Sequence, residues 1–196
     1  MSDPISELAA GRAALLMMDF QYEQLGGVEE PQALLARAQR AQQSALQAGM
    51  RVIHVRVAFT PAAHEAIPPH NKAFAPIASA GTFAQGHPSA EIHHELRADG
   101  REHVITKTRV SAFSGTSLDR QLRGRGIDTL CLAGISTSGV VLSTVRDAAD
   151  RDYRLFVLSD VCADADATLH DFLVRYVLPQ HADMVTVADW EAAIAS

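Results

Sequence analysis

Cysteine is scarce: Cys131 and Cys162 are the only two in 196 residues. Two thiols make no disulfide framework, so a reducing cytoplasmic setting is expected. Long apolar runs are missing too, and none approaches the ~18 residues of a membrane span. The opening stretch MSDPISELAAGR has no positive segment followed by an apolar one, so no secretory signal is read there. Nor do basic side chains cluster: 17 Lys and Arg stand against 23 Asp and Glu, a net charge of −6 with histidine neutral. A nucleic-acid groove or an anionic membrane surface would lack its electrostatic footprint. Internal repeats, low-complexity tracts and linkers are absent as well. Residues 1–196 therefore read as one domain, large enough to build a core without metal or disulfide staples.

What the chain does have is alternation of strand and helix patterns. Arg12 to Asp19 is an apolar run closing on a carboxylate, as a buried parallel strand would. Pro31 to Met50 is rich in Ala, Gln, Leu and Arg at helical spacing, with Gly49 near its end. Arg51 to Val57 is β-branched and reads as a second strand. Further strands are expected at His103 to Thr106, Asp128 to Ala133, Arg154 to Leu158 and Met184 to Val187. Helices are expected over Thr116 to Gly126, Gly139 to Arg151 and Asp166 to Val177, with Trp190 in a terminal one. Ala58 to Gly100 shows no clear period and holds most of the prolines and histidines. It reads as a long excursion over a site. The rhythm predicts a three-layer αβα sandwich around a mostly parallel sheet of about six strands.

In such sheets ligands bind beyond the carboxyl ends of the strands, which directs attention to Asp19, Arg56, Lys107, the Gly134–Val140 turn and Asp160. Asp19, followed by Phe20 and Gln21, is either a helix cap or a functional acid. Lys107 closes the Val104–Thr106 run, where a solvated strand end is the commoner reading. The turn Gly134-Ile135-Ser136-Thr137-Ser138-Gly139 leads into a helix whose first amides point toward a ligand. Gln21 is a candidate substrate contact, Arg56 and Arg109 are candidate anion contacts and Phe113 a candidate apolar wall.

A serine-triad reading also exists. Gly134-Ile135-Ser136 opens like a nucleophile elbow, with Asp160 and His181 following in order. Ser138 stands where that motif needs glycine, which argues against it. The nine histidines show no H-E-x-x-H or other metal-ligand spacing, so no metal and no cofactor are expected.

Several fragments together resemble one family. They are Leu15-Leu16-Met17-Met18-Asp19-Phe20-Gln21, Thr106-Lys107-Thr108-Arg109 with Ser111-Ala112-Phe113, and Leu132-Ala133-Gly134-Ile135-Ser136-Thr137. Val141 to Ala148 and Val157-Leu158-Ser159-Asp160 continue the likeness. In order and spacing they are similar to the isochorismatase-like, or cysteine, hydrolases. The resemblance implies an aspartate–lysine–cysteine triad at three strand ends, with Asp19 and Lys107 at the first two positions. It also implies a cis peptide just before Thr137, an oxyanion hole made of backbone amides from Ser136 to Gly139, and a homo-oligomer, dimer or tetramer.

The third triad position is Val140, which has no nucleophilic atom. Cys131 lies inside an apolar strand, as small buried hydrophobes do, and Cys162 follows the next strand. The resemblance offers a way through. Isochorismatases proper hydrolyse a vinyl ether by protonation and water addition, with the aspartate as acid and no covalent intermediate. Their glutamine-proline element after the second strand is missing, since the chain reads Arg56-Val57-Ala58 there. Two functions remain open. One is a hydrolase of a small, anionic or carbonyl-bearing metabolite working by acid–base catalysis. The other is a catalytically silent small-molecule-binding protein on the same fold.

Overall fold

The computed structural model describes Ile5, residues 8–97 and residues 103–194. Part of the opening stretch read for a signal, and the end of the Ala58–Gly100 excursion, lie outside the described residues. Six strands form one fully parallel sheet: β1 (Ala13–Met18), β2 (Arg51–Val57), β3 (His103–Lys107), β4 (Thr129–Ile135), β5 (Arg154–Ala163) and β6 (Asp183–Val185). Their spatial order is β3-β2-β1-β4-β5-β6. The chain starts in the middle, builds outward through β2 and β3, and then returns to build the other half. The order reverses between β1 and β4, and at such a switch point the two loops leave in opposite directions and open a crevice.

Each strand is apolar to the degree that its place demands. All six residues of β1 and all seven of β4 are buried, as central strands covered on both faces must be. At the edge, β3 alternates: Ile105 and Lys107 are buried, while Val104 and Thr106 are exposed. Helix α1 (Tyr22–Leu25) is a single turn, and α2 (Pro31–Gln47) covers one face. Pro31 begins α2 and Gly49, with φ +73°, ends its trailing turn, the usual asymmetry of start and stop residues. Leu34, Leu35, Ala38, Ala41 and Ala45 form its buried stripe, and burying each leucine contributes about 1.5–3 kcal/mol. The excursion carries α3 (Pro61–Glu65) and α4 (Ala75–Ala80) over a small core of its own around Phe59, Phe74 and Phe83. It is therefore not structureless. On the second face lie α5 (Leu118–Arg123) and α6 (Leu142–Ala149), and the chain ends through α7 (Ala167–Phe172) and α8 (Val187–Ile194).

Several elements differ from expectation in length, among them β6, which ends at Val185 rather than Val187, and α5, which spans Leu118–Arg123 rather than Thr116–Gly126. β5 runs five residues past Leu158, to Ala163. The helix expected from Gly139 begins as a π-helical turn, Thr137–Val141, before α6. The helix expected to reach Val177 stops at Phe172 and gives way to a second π-helical turn, Leu173–Val177.

Candidate active site

The same period-two alternation that buries Ile105 sends Lys107 to the buried face. The residue is 2% exposed, so a cation sits where a core residue would. A charge there needs a partner. Asp19, itself 3% exposed, supplies it: Lys107 Nζ donates to Asp19 Oδ2 at 2.8 Å and to the Arg109 carbonyl at 3.2 Å. Lys107 pairs with Val57 in the sheet, and Asp19 donates its N–H to the Val55 carbonyl at 2.8 Å, so the ion pair bridges the end of β2. Two strands with a third between them lie ~10 Å apart, a gap that a lysine stem spans. Asp19 adopts a left-handed backbone, φ 58°, which aspartate tolerates better than most residues and which turns the chain out of the β1 line. It caps no helix, because the N-cap position of α1 is Gln21, which makes no side-chain capping bond.

Asp19 Oδ1 is buried without a hydrogen-bond partner among the described residues. Burial pushes the Asp19 pKa above the ordinary carboxylate value, and the charge and hydrogen bond of Lys107 pull against it. A carboxyl group raised in this way, with one oxygen unclaimed, can hold a proton and hand it on.

Beside this pair, on the other side of the switch point, stands the turn after β4. Gly134 pairs with Met18, and a Cβ at Gly134 would lie 2.7 Å from the Met18 carbonyl oxygen. Only glycine lets β4 lie so close to the end of β1, one residue before Asp19. A cis peptide joins Ile135 to Ser136, one bond earlier than the Ser136–Thr137 bond expected. Ser136 Oγ accepts from the Gly139 N–H at 3.2 Å, and a Cβ on Gly139 would meet that oxygen at 2.7 Å. Val140 is 2% exposed, packed in the core beneath α6.

Two side chains that sequence reasoning missed hold this turn. Asp164 Oδ2 accepts from the Ser138 N–H at 2.7 Å, and Thr137 Oγ1 is hydrogen-bonded to His170 Nδ1 at 2.8 Å. The signal for Asp164 was the strand-end rule itself, applied at the wrong residue. Because β5 extends to Ala163, its carboxyl end falls at Asp164 rather than Asp160. The Asp160 carboxylate instead accepts the Val187 N–H at 2.8 Å, starting α8.

Other expected contacts are directed elsewhere. Gln21, expected against substrate, is fully buried: its Nε2 donates to the Val57 and Ala90 carbonyls and its Oε1 accepts from the Val57 N–H, each at 2.8 Å. It ties β1, β2 and the excursion together. Arg56 alternates away from Val55 and Val57, and pairs with Glu91 at 3.2 Å. Phe113 lies 5.8 Å from the ring of Tyr153, which precedes β5 at the opposite edge of the sheet. Arg109 stays nearby through its carbonyl, with its guanidinium 5.8 Å from the Phe74 ring of the excursion. His181 lies just before the start of β6, at the amino edge, whereas Ser136 lies at the carboxyl edge, so they cannot form a triad. Burial raises both thiols to about 12; Cys131 also accepts the Trp190 indole N–H at 3.2 Å. Neither is poised as a nucleophile. Among the described residues no group of three or more His, Cys, Asp or Glu is arranged to hold a metal.

An isochorismatase domain model matches residues 13–189. An uncharacterised isochorismatase family protein of Escherichia coli O157:H7 is 32% identical over 93% of this chain and 96% of its own length. The maleamate amidohydrolase of Pseudomonas putida is 30% identical over 91% of this chain and 84% of that protein. A cysteine hydrolase structure from Pseudomonas syringae pv. phaseolicola 1448A covers 100% of this chain and 99% of its own, with a TM-score of 0.86. Its sequence identity is 22%, so that likeness speaks for the fold alone.

Proposed function

This chain belongs to the isochorismatase family of hydrolases, and on that premise we propose that residues 1–196 act as one catalytic domain without a covalent enzyme intermediate. Asp19 is the general acid, Lys107 its electrostatic partner, and the backbone of the Gly134–Val140 turn the oxyanion or anion site. The observation that carries this reading is the buried Asp19–Lys107 pair, with both cysteines buried; Val140, where the resemblance sets the nucleophile, supplies no reactive atom. The substrate is a small metabolite with a carbon–nitrogen bond or a vinyl ether to break. The relative named maleamate amidohydrolase supports the first. For a carbon–nitrogen bond, water adds to the carbonyl carbon and Asp19 protonates the departing nitrogen. For a vinyl ether, Asp19 protonates the enol carbon and water adds to the resulting cation. In both, a proton from water restores Asp19. Arg109 stands nearest among the expected anion contacts. The likeness to named hydrolases favours catalysis over a silent binding role.

The test is a pH profile measured on a substrate found by screening amides, ureides and vinyl ethers. Asp19 donates only when protonated, and burial holds its pKa above the ordinary 3.8. So kcat/KM is expected to fall as pH rises through that pKa. A profile that instead rises with pH over that range would assign Asp19 the role of base.

Val140→Cys tests the inherited geometry. The two side chains are similar in size, and the new thiol would sit in the π-helical turn leading into α6, where the helix N-terminus and, on the inherited geometry, the Lys107 cation favour thiolate. Iodoacetamide is expected to label position 140 before Cys131 or Cys162, as read by peptide mapping. Slower labelling there than at Cys162 would mean that the pocket has been remodelled.

Assembly as a dimer or tetramer is part of the proposal. Leu169, Phe172 and Tyr176 leave large apolar side chains exposed along one stretch of chain next to His170, and such a patch favours association. Light scattering at micromolar concentration is expected to give a mass of at least twice the 21.1 kDa of one chain. No helix among the described residues is long and apolar enough to cross a membrane.

A further inference from the structure

A large cleft lies well away from the candidate active site. It encloses about 650 Å³ at the amino edge of the sheet, where Ala13, Arg51 and His103 open β1, β2 and β3. Six residues of strand at ~3.3 Å each put its Ala13 end about 20 Å from Asp19, and along β2 its lining reaches His54, which alternates to the opposite face from Val55 and Val57 beside the ion pair. We propose that this cleft is a second binding site, for a small organic anion with an apolar body.

The charge of the lining is the first argument. In a chain of net charge −6, the cleft is lined by Arg51, Arg125, His54 and His103, and by no carboxylate among the described residues. The neighbouring acid, Asp128, is held by Arg12. Apolar surface is the second argument: Leu46, Met50, Val52 and Ile127 complete the walls, the mixture of apolar lining and few polar groups that small-molecule sites use. Unmet hydrogen bonding is the third. Gln42 is buried and its Nε2 donates to the Leu96 carbonyl at 3.2 Å, but its Oε1 has no partner among the described residues. His103 Nε2 is likewise buried without one. Buried polar atoms are rarely left so. An occupant carrying a donor for Gln42 and an anionic group for the two arginines satisfies them together.

Indole-3-acetate has an apolar body, a ring N–H and a carboxylate, and serves as the probe; indole-3-ethanol is the uncharged control. Titration into ¹⁵N-labelled protein is expected to give saturable shifts confined to the cleft, residues 10–13, 42–54, 103 and 125–127. The alcohol, and the acetate with the Arg51→Gln/Arg125→Gln variant, are expected to bind more weakly by about tenfold or more, the scale of a lost charge-assisted hydrogen bond. Gly11 lines the cleft, and a Cβ there meets nothing within 4 Å. Gly11→Trp should therefore block binding by filling the space, with both arginines retained. Shifts centred on residues 19–21 and 136–141, equal affinity for acid and alcohol, or no saturation at millimolar concentration would each overturn the proposal.

Discussion

Asp19→Asn is expected to lower kcat/KM by about two to four orders of magnitude, the usual range for loss of a positioned general acid. Amide and carboxyl have nearly the same shape, so the left-handed turn after β1 and its bond to Val55 are retained. The amide oxygen of the variant still accepts from Lys107, but the group no longer has a proton to give. Stability will fall somewhat, since the lysine loses its counter-charge. Activity is therefore measured well below the melting temperature of the variant, with far-ultraviolet circular dichroism confirming the fold. Turnover by Asp19→Asn at the wild-type rate would remove Asp19 from the mechanism.

Lys107→Met is expected to show the second large effect, in stability as well as rate. Methionine fills most of the lysine stem's volume, but leaves a buried carboxylate uncompensated, a loss of about 3–5 kcal/mol for a broken buried pair. The sign of its pH dependence follows from Asp19. With Lys107 gone, only burial acts on the carboxyl, and its folded-state pKa moves further above the unfolded value of ~3.9. The unfolded chain then gives up its proton more readily than the folded one. So the destabilisation should grow as pH rises from ~4 toward the folded pKa, and shrink in acid where the carboxyl is neutral. Urea unfolding at acid and mildly alkaline pH measures this. Asp19→Asn added to Lys107→Met should recover stability at the higher pH. A loss independent of pH would show that Asp19 is not the group left unpaired.

Much of the candidate site was legible because parallel strands announce themselves as apolar runs and ligands collect where those runs end. Asp19, Lys107 and the Gly134–Val140 turn all came from that rule, and the sheet brings the first two to 2.8 Å. What the rule cannot supply is which way a side chain faces. Arg56 sits one residue before the end of β2, and its parity relative to Val57 carries it to Glu91 on the other face. Gln21 reads as a polar residue beside an acid, and only the folded chain shows three backbone groups awaiting it. Asp164 was hidden by length: Ser159 and Asp160 look like the end of an apolar run, whereas β5 continues through Val161 and Cys162 to Ala163. The short helices of the excursion have no legible period, because their packing partner is a local cluster of aromatic rings around Phe59 rather than the main sheet.

The carboxylate of Asp164 on the Ser138 amide has a consequence for selectivity. It is a tethered competitor. A group held beside its partner by the pairing of β4 with β5 has an effective concentration on the order of millimolar or more, so a free carboxylate present at micromolar levels loses the contest for that amide. If the turn serves as proposed, a substrate's standing negative charge is thereby turned away from one of its donors. An oxygen that becomes negative only as the reaction proceeds meets the competitor after substrate has already docked, with no concentration disadvantage left to overcome. An intramolecular rival of this kind discriminates against tight ground-state binding more than against turnover.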